Sequence, residues 1–210
     1  MRGYVVAGIG TEVGKTVVSA ILAEKLRADY WKPVQAGNLD SSDTLRVRQL
    51  TRHAGVLHPE AWRLNTAMSP HAAAEIDGVR INRASLELPQ NSTLPGTPLI
   101  VELAGGLMVP LDSRPGDGLS NIDLLREWGL PVVLVANYYL GSINHTLLSV
   151  DALHRRDIAI AGLVFNGDAV KSSRSTIINL TGLPVLVDLP WADKVNTAFI
   201  SDQAARLELK

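Results

Sequence analysis

From Gly8 to Thr16 the chain reads Gly-Ile-Gly-Thr-Glu-Val-Gly-Lys-Thr, and residues 17–22 continue as Val-Val-Ser-Ala-Ile-Leu. Glycines let a backbone turn tightly and aim several N–H groups at one point, and the opening of the helix that the apolar residues predict adds its positive dipole end. The chemistry this suits is phosphate binding. Lys15 is placed to reach the β and γ phosphates of a nucleotide, and the Thr16 hydroxyl to ligate Mg2+. Five residues separate Gly8 from Gly14, one more than in the common form of the motif, so the loop is a variant of it. The competing reading is a glycine-rich strand-to-helix turn with a surface lysine. An apolar strand before the loop, a helix after it and an intact Gly14-Lys15-Thr16 favour phosphate.

A second group of residues follows in Val101-Glu102-Leu103-Ala104-Gly105-Gly106. A carboxylate at the end of a parallel strand faces the crevice where open α/β sheets bind ligands, and Glu102 there is a partner for Thr16 around a metal. Taken alone it is equally an ordinary polar strand-end residue. Gly105 and Gly106 permit close backbone approach to phosphate or substrate. Lys32, at the end of another predicted strand, reads by itself as solvated, and Asp43 by itself as a helix cap. Gly141-Ser142-Ile143-Asn144 opens a predicted helix, either as a plain capping turn or as N–H groups that bind a carboxylate. Asn166 precedes glycine, as turn residues commonly do, and carries a two-sided amide. His71 and His145 are isolated and read as structural.

These side chains need a scaffold, and the apolar pattern predicts one. Strands are expected at Tyr4–Ala7, Tyr30–Val34, Pro98–Leu103, Pro131–Ala136, Ile160–Phe165 and Val185–Asp188. Helices are expected at Lys15–Arg27, Asp43–His53, Asn144–Arg155, Ser172–Leu180 and Thr197–Leu207. Alternation of this kind predicts an α/β fold, a mostly parallel sheet with helices on both faces, and the Gly8–Thr16 loop after its first strand makes it of the P-loop nucleotide-hydrolase type. At 210 residues and 46% hydrophobic content the chain is expected to form a single domain over 1–210, with Leu86–Pro98 as an exposed connection.

Composition narrows the function classes. The net charge is −1, from 20 basic and 21 acidic residues without long runs of either sign, so neither nucleic acid nor a polybasic membrane contact is expected as a partner. No cysteine is present, which excludes disulfides, thiolate metal sites and a cysteine nucleophile. No secretory leader and no long apolar span stand out, so a cytoplasmic protein acting on small molecules is expected.

Together these residues resemble the dethiobiotin synthetase family. The likeness is carried by Gly10–Thr16, Lys32-Pro33-Val34-Gln35-Ala36-Gly37, Ser42-Asp43, Met68-Ser69-Pro70-His71, Glu102–Gly106, Leu140–His145 and Asn166, which occur in the family's order. The resemblance implies that ATP, CO2 and 7,8-diaminopelargonate give dethiobiotin, ADP and phosphate, through a carbamate and a carbamic-phosphoric anhydride. It implies ATP and Mg2+ as cofactors, with Gly10, Thr11, Glu12, Val13, Gly14, Lys15, Thr16 and Asn166 holding the nucleotide, Asn166 at the adenine. Thr16, Asp43 and Glu102 would gather around Mg2+. Lys15, Lys32, Thr11 and Glu12 would serve catalysis, Lys32 at the carbamate and the transferred phosphoryl group. Lys32, Gly105, Gly106 and Gly141–Asn144 would bind the diamine, the last loop supplied by the second subunit of a homodimer.

The sequence departs from the family in places. Ala36 stands where many members have a hydroxyl, Gly10 where some have aspartate, and the tyrosine often found after the Asn166 segment has no counterpart in Lys171–Leu180, leaving Tyr138 and Tyr139 as substitutes. Two rival functions share the loop: the synthetase part of a cobyrinate-type amidotransferase, whose glutamine-hydrolysing partner needs a cysteine, and a partitioning-type nucleotide switch. The second fits poorly with a tail, Thr197–Lys210, whose only bases are Arg206 and Lys210.

Overall fold

In chain order the elements are β1 (Gly3–Gly8), α1 (Lys15–Leu26), β2 (Asp29–Trp31), β3 (Val34–Ala36), α2 (Asp43–Leu50), β4 (Leu57–His58), β5 (Trp62–Leu64) and α3 (Pro70–Ile76). They continue as β6 (Leu99–Gly106), β7 (Pro110–Asp112), β8 (Leu119–Ser120), α4 (Asn121–Trp128), β9 (Val132–Asn137) and α5 (Ser142–His154). The chain closes with β10 (Ile160–Asn166), α6 (Lys171–Thr181), β11 (Val185–Leu189) and α7 (Thr197–Arg206). The computed structural model describes residues 3–90, 95–114 and 118–209. Residues 91–94 of the expected connection and Lys210 of the tail lie outside the described residues.

The main sheet runs β11-β10-β9-β1-β6-β2-β4, and every pairing in it is parallel. Its central strands are near-continuous apolar runs because both faces are covered. Successive side chains point to opposite faces. Val6, Val133 and Val135 accordingly pack into one core layer, with Ile21 of α1 and Ile200 of α7. Val5, Ala7 and Leu134 pack into the other, with Leu125 of α4 and Leu153 of α5. The expected α/β architecture is therefore present. Among the described residues no helix is long and apolar enough to cross a membrane.

Four expectations are corrected. Tyr30–Val34 is not one strand: β2 stops at Trp31, and β3 pairs with β5 in a separate sheet. Pro33 has no N–H to donate to a ladder, and its carbonyl turns to accept from Trp62 N–H at 2.9 Å. Glu102 is not at a strand end, since β6 runs on to Gly106 beside β1. The predicted exposed connection begins buried, with Leu86 1% exposed and its carbonyl accepting from Trp128 Nε1 at 3.0 Å. Finally, α5 begins at Ser142, two residues before the expected start.

Candidate active site

The phosphate loop leaves β1 at Gly8 and enters α1 at Lys15, with Gly14 left-handed at φ 98°. A Cβ on Gly8 would lie 2.5 Å from the Val13 side chain and 2.9 Å from the Gly10 carbonyl, so the tight turn needs glycine there. No side chain caps α1, which leaves its first N–H groups to serve an anion. Glu12 is left-handed at φ 55°, uncommon for a residue with a side chain. Thr11 and Glu12 are exposed, whereas Val13 is buried beneath the loop.

Two lysines and two carboxylates meet behind the loop. Lys15 is 7% exposed, and its Nζ donates to the Gly10 carbonyl at 2.8 Å. Thr16 Oγ1 lies 2.8 Å from Asp43 Oδ1 and 2.9 Å from Glu102 Oε1. Lys32, 5% exposed, contacts Asp43 Oδ2 and lies 3.1 Å from Glu102 Oε1. Lys32 is thus a buried, paired ammonium, contrary to the solvated reading of it alone. Asp43 does not cap α2 either: Ser42 does, its hydroxyl accepting from Leu45 N–H at 3.4 Å. That frees the Asp43 carboxylate for Thr16 and Lys32.

Sequence reasoning missed two members of this cluster. Tyr30 is fully buried, and its hydroxyl donates to Glu102 Oε2 at 2.9 Å. Glu102, 1% exposed, therefore has both oxygens engaged, as a buried carboxylate requires. Gln35 accepts from Asp43 N–H at 3.2 Å and donates to the Gly37 carbonyl at 2.9 Å, fixing the start of α2. The only signal for Gln35 was its place in the Lys32–Gly37 motif. Tyr30 gave none beyond its strand.

The charges are set by these contacts. Burial alone would lower the Lys32 ammonium, but Glu102 and Asp43 outweigh it and hold the group above the ordinary lysine range. Burial would raise Asp43, and Lys32 together with Thr16 holds it below the usual carboxylate range. Burial, reinforced by Glu102, pushes the Tyr30 phenol well up, so it stays a donor. Lys15 is different: burial lowers it to about 8, with Lys32 adding to the effect and Glu102 and Asp43 opposing it. Phosphate beside Lys15 favours the ammonium and raises its pKa again. If Lys15 meets the phosphates of a nucleotide, affinity is complete below pH about 8, falls as pH rises through that value, and binding takes up a proton. Calorimetric titration at about pH 9 in buffers of different ionisation enthalpy should report that uptake. Zero uptake there would mean that Lys15 does not meet the phosphates.

A cavity of about 760 Å³ lies against this cluster. Thr11, Glu12, Gly14, Lys15, Thr16, Lys32, Asp43, Glu102 and Gly105 all line it, as do the apolar Val34, Ala36, Met68 and Val109. Gly106 packs against the loop instead, where a Cβ would sit 3.7 Å from Gly10 Cα. Asn166 is off the wall, its Nδ2 donating to the Val13 carbonyl at 3.0 Å. Gly141–Asn144 is also absent from the wall. In that loop Gly141 is left-handed, Ser142 is 2% exposed, and Ser142 N–H already donates to the Tyr139 carbonyl at 3.0 Å. The N–H groups of Ile143 and Asn144, in the first turn of α5, are the ones helix geometry leaves over. Tyr138 stacks inward on Phe165, while Tyr139 is exposed and paired with His145 Nδ1 at 2.6 Å. His71 pairs with the Ser69 hydroxyl at 3.2 Å.

Fold and loop define the class: a P-loop nucleotide-binding protein. A family model described as an AAA domain matches residues 2–198, and the MinD cell-division ATPase of Pyrococcus furiosus shares the fold, with a TM-score of 0.55 over 98% of each chain at 13% identity. The relatives in sequence are more specific. The ATP-dependent dethiobiotin synthetase BioD of Cytophaga hutchinsonii is 44% identical over 99% of this chain and 97% of its own. That of Christiangramia forsetii is 47% identical over 88% and 86%. The chain belongs to the ATP-dependent dethiobiotin synthetase family, which sets aside the amidotransferase and partitioning readings.

Proposed function

We propose that the protein carries out the synthetase reaction of its family, with residues 1–210 working as one domain. One amine of 7,8-diaminopelargonate attacks CO2 and, on losing a proton, becomes a carbamate. A carbamate oxygen attacks the γ-phosphorus of ATP, displacing ADP and leaving a carbamic-phosphoric anhydride. The second amine attacks its carbonyl carbon, phosphate departs, and the ureido ring of dethiobiotin is closed. No protein nucleophile is needed, so the residues act by placement and charge. The observation that carries this reading is the near-full-length identity to named synthetases.

Lys15 and the loop N–H groups hold the phosphates, and Lys32, buried beside the loop, neutralises the carbamate and the transferring group. Thr16, Asp43 and Glu102 present hard oxygen donors within hydrogen-bonding distance of one another, which suits Mg2+ completed by phosphate and water. Bound there, the ion would neutralise charge on the phosphates. Val34, Ala36, Met68 and Val109 suit the aliphatic chain of the diamine. Asn166 reads the adenine.

The working form in this reading is a homodimer in the cytoplasm, without nucleic-acid or membrane partners. Leu140 and Leu148, highly exposed, flank Gly141–Asn144, and the loop does not line its own chain's cavity. Both facts favour delivery of the loop, with its N–H groups for the substrate carboxylate, to a second subunit. The reaction is tested by following ADP with ATP and Mg2+. Fast ADP release should require bicarbonate and the diamine together, with dethiobiotin seen by mass spectrometry. ADP release indifferent to the diamine would defeat the reading.

A further inference from the structure

We infer that Asn166 is a positioning residue for the phosphate loop, so that it acts on the phosphates whatever base the nucleotide carries. This goes beyond its assignment to adenine, and it rests on the proposed binding of phosphate at the loop. Its amide Nδ2 donates to the Val13 carbonyl at 3.0 Å, across 153 positions of sequence. The same nitrogen stands 2.4 Å from where a Cβ on Gly14 would be, and Gly14 is left-handed at φ 98°. The amide therefore bonds one side of the Val13–Gly14 peptide and packs on the residue that follows it. Lys15 and the first turn of α1 begin at the next position.

The clamp is anchored in the sheet. Asn166 ends β10 in register with Asn137 of β9 and Leu189 of β11, and Gly167 N–H donates to the Leu189 carbonyl at 2.9 Å. A strand end paired on both sides moves little, so the amide transmits that rigidity to a loop whose own residues are glycine-rich. A loop N–H aims at phosphate only while its peptide keeps one orientation. The Val13 carbonyl, held by Asn166, fixes that of the Val13–Gly14 peptide, whose N–H belongs to Gly14.

Asn166→Leu keeps the shape and removes the donor, and Asn166→Ala removes the packing as well. Inorganic tripolyphosphate with Mg2+, which has no base, is the probe, read by competition against a fluorescent ATP analogue. Both variants should bind tripolyphosphate about five- to ten-fold more weakly, and ATP by at least that factor because ATP also loses the contact proposed to its base. In the unliganded Asn166→Leu protein the Gly14 amide resonance should shift while that of Val133, in the core of β9, stays in place. A general structural loss would move both. Wild-type affinity for tripolyphosphate in the variants, with ATP alone weakened, would overturn the inference and leave Asn166 to the base. Failure of the wild-type protein to bind tripolyphosphate would overturn the loop assignment, and the clamp with it. The diamine-dependent assay tests the synthetase reading separately.

Discussion

Lys32→Met is expected to bind ATP with Mg2+ almost normally and to form dethiobiotin on the order of a thousand-fold more slowly. In the resting protein Lys32 is the cation that Asp43 and Glu102 share, held charged at every pH of interest. Its assigned work begins when the carbamate forms and a phosphoryl group passes to it, so removing it costs most in the transition state. Methionine keeps the stem and takes away the charge. Two buried carboxylates then lose their partner, which costs stability. Mg2+ held by these carboxylates, as proposed, would offset the loss, so binding should be measured with the metal present. Calorimetry with a nonhydrolysable nucleotide, beside the product assay, separates the two effects. Equal loss in both would place Lys32 in ground-state nucleotide binding.

The second large effect is a recovery of activity from two inactive proteins. Lys15→Gln removes the charge assigned to the phosphates, and Asn144→Asp sets a carboxylate where the substrate carboxylate is proposed to be held. Asn144 is the better probe in that loop because it is exposed, whereas a carboxylate at the buried Ser142 would have no partner and would endanger the fold. Each variant alone should be nearly inactive. In the proposed homodimer with shared sites, unfolding, mixing and refolding the two together would pair the variants in half of the dimers and leave one of the two sites in each wholly wild type. Activity should therefore return to roughly a quarter of the wild-type value. Mixed dimers verified by two tags yet as inactive as their parents would show that Gly141–Asn144 serves its own subunit.

Much of this arrangement could be read from the chain. The loop from Gly8 to Thr16 has glycine, lysine and threonine at positions the backbone geometry requires, and the central strands are apolar without interruption because helices cover both faces. What could not be read is mostly non-local. Tyr30 and Glu102 are 72 positions apart, and nothing near either signals the hydrogen bond between them. Asn166 and Val13 are further apart still. The elements β4, β7 and β8 are two or three residues long, too short to show a period, and α3 makes barely two turns. The omission of α4 is another matter. Ser120 and Asp123 form a capping box and Gly129 closes the helix in the left-handed region, all visible as Ser-x-x-Asp and a terminal glycine. The break at Pro33 was legible too, since proline cannot donate within a ladder.

The most direct test of the account is where a carbamate oxygen goes. If that oxygen attacks the γ-phosphorus, it must leave with phosphate when the ring closes. With heavy-oxygen-labelled bicarbonate, the diamine, ATP and Mg2+, in incubations short against exchange with water, mass spectrometry should find one labelled oxygen in the released phosphate, matched in amount to dethiobiotin. Dethiobiotin formed alongside unlabelled phosphate would contradict the account, because the carbonyl would then have been activated without phosphoryl transfer to the carbamate.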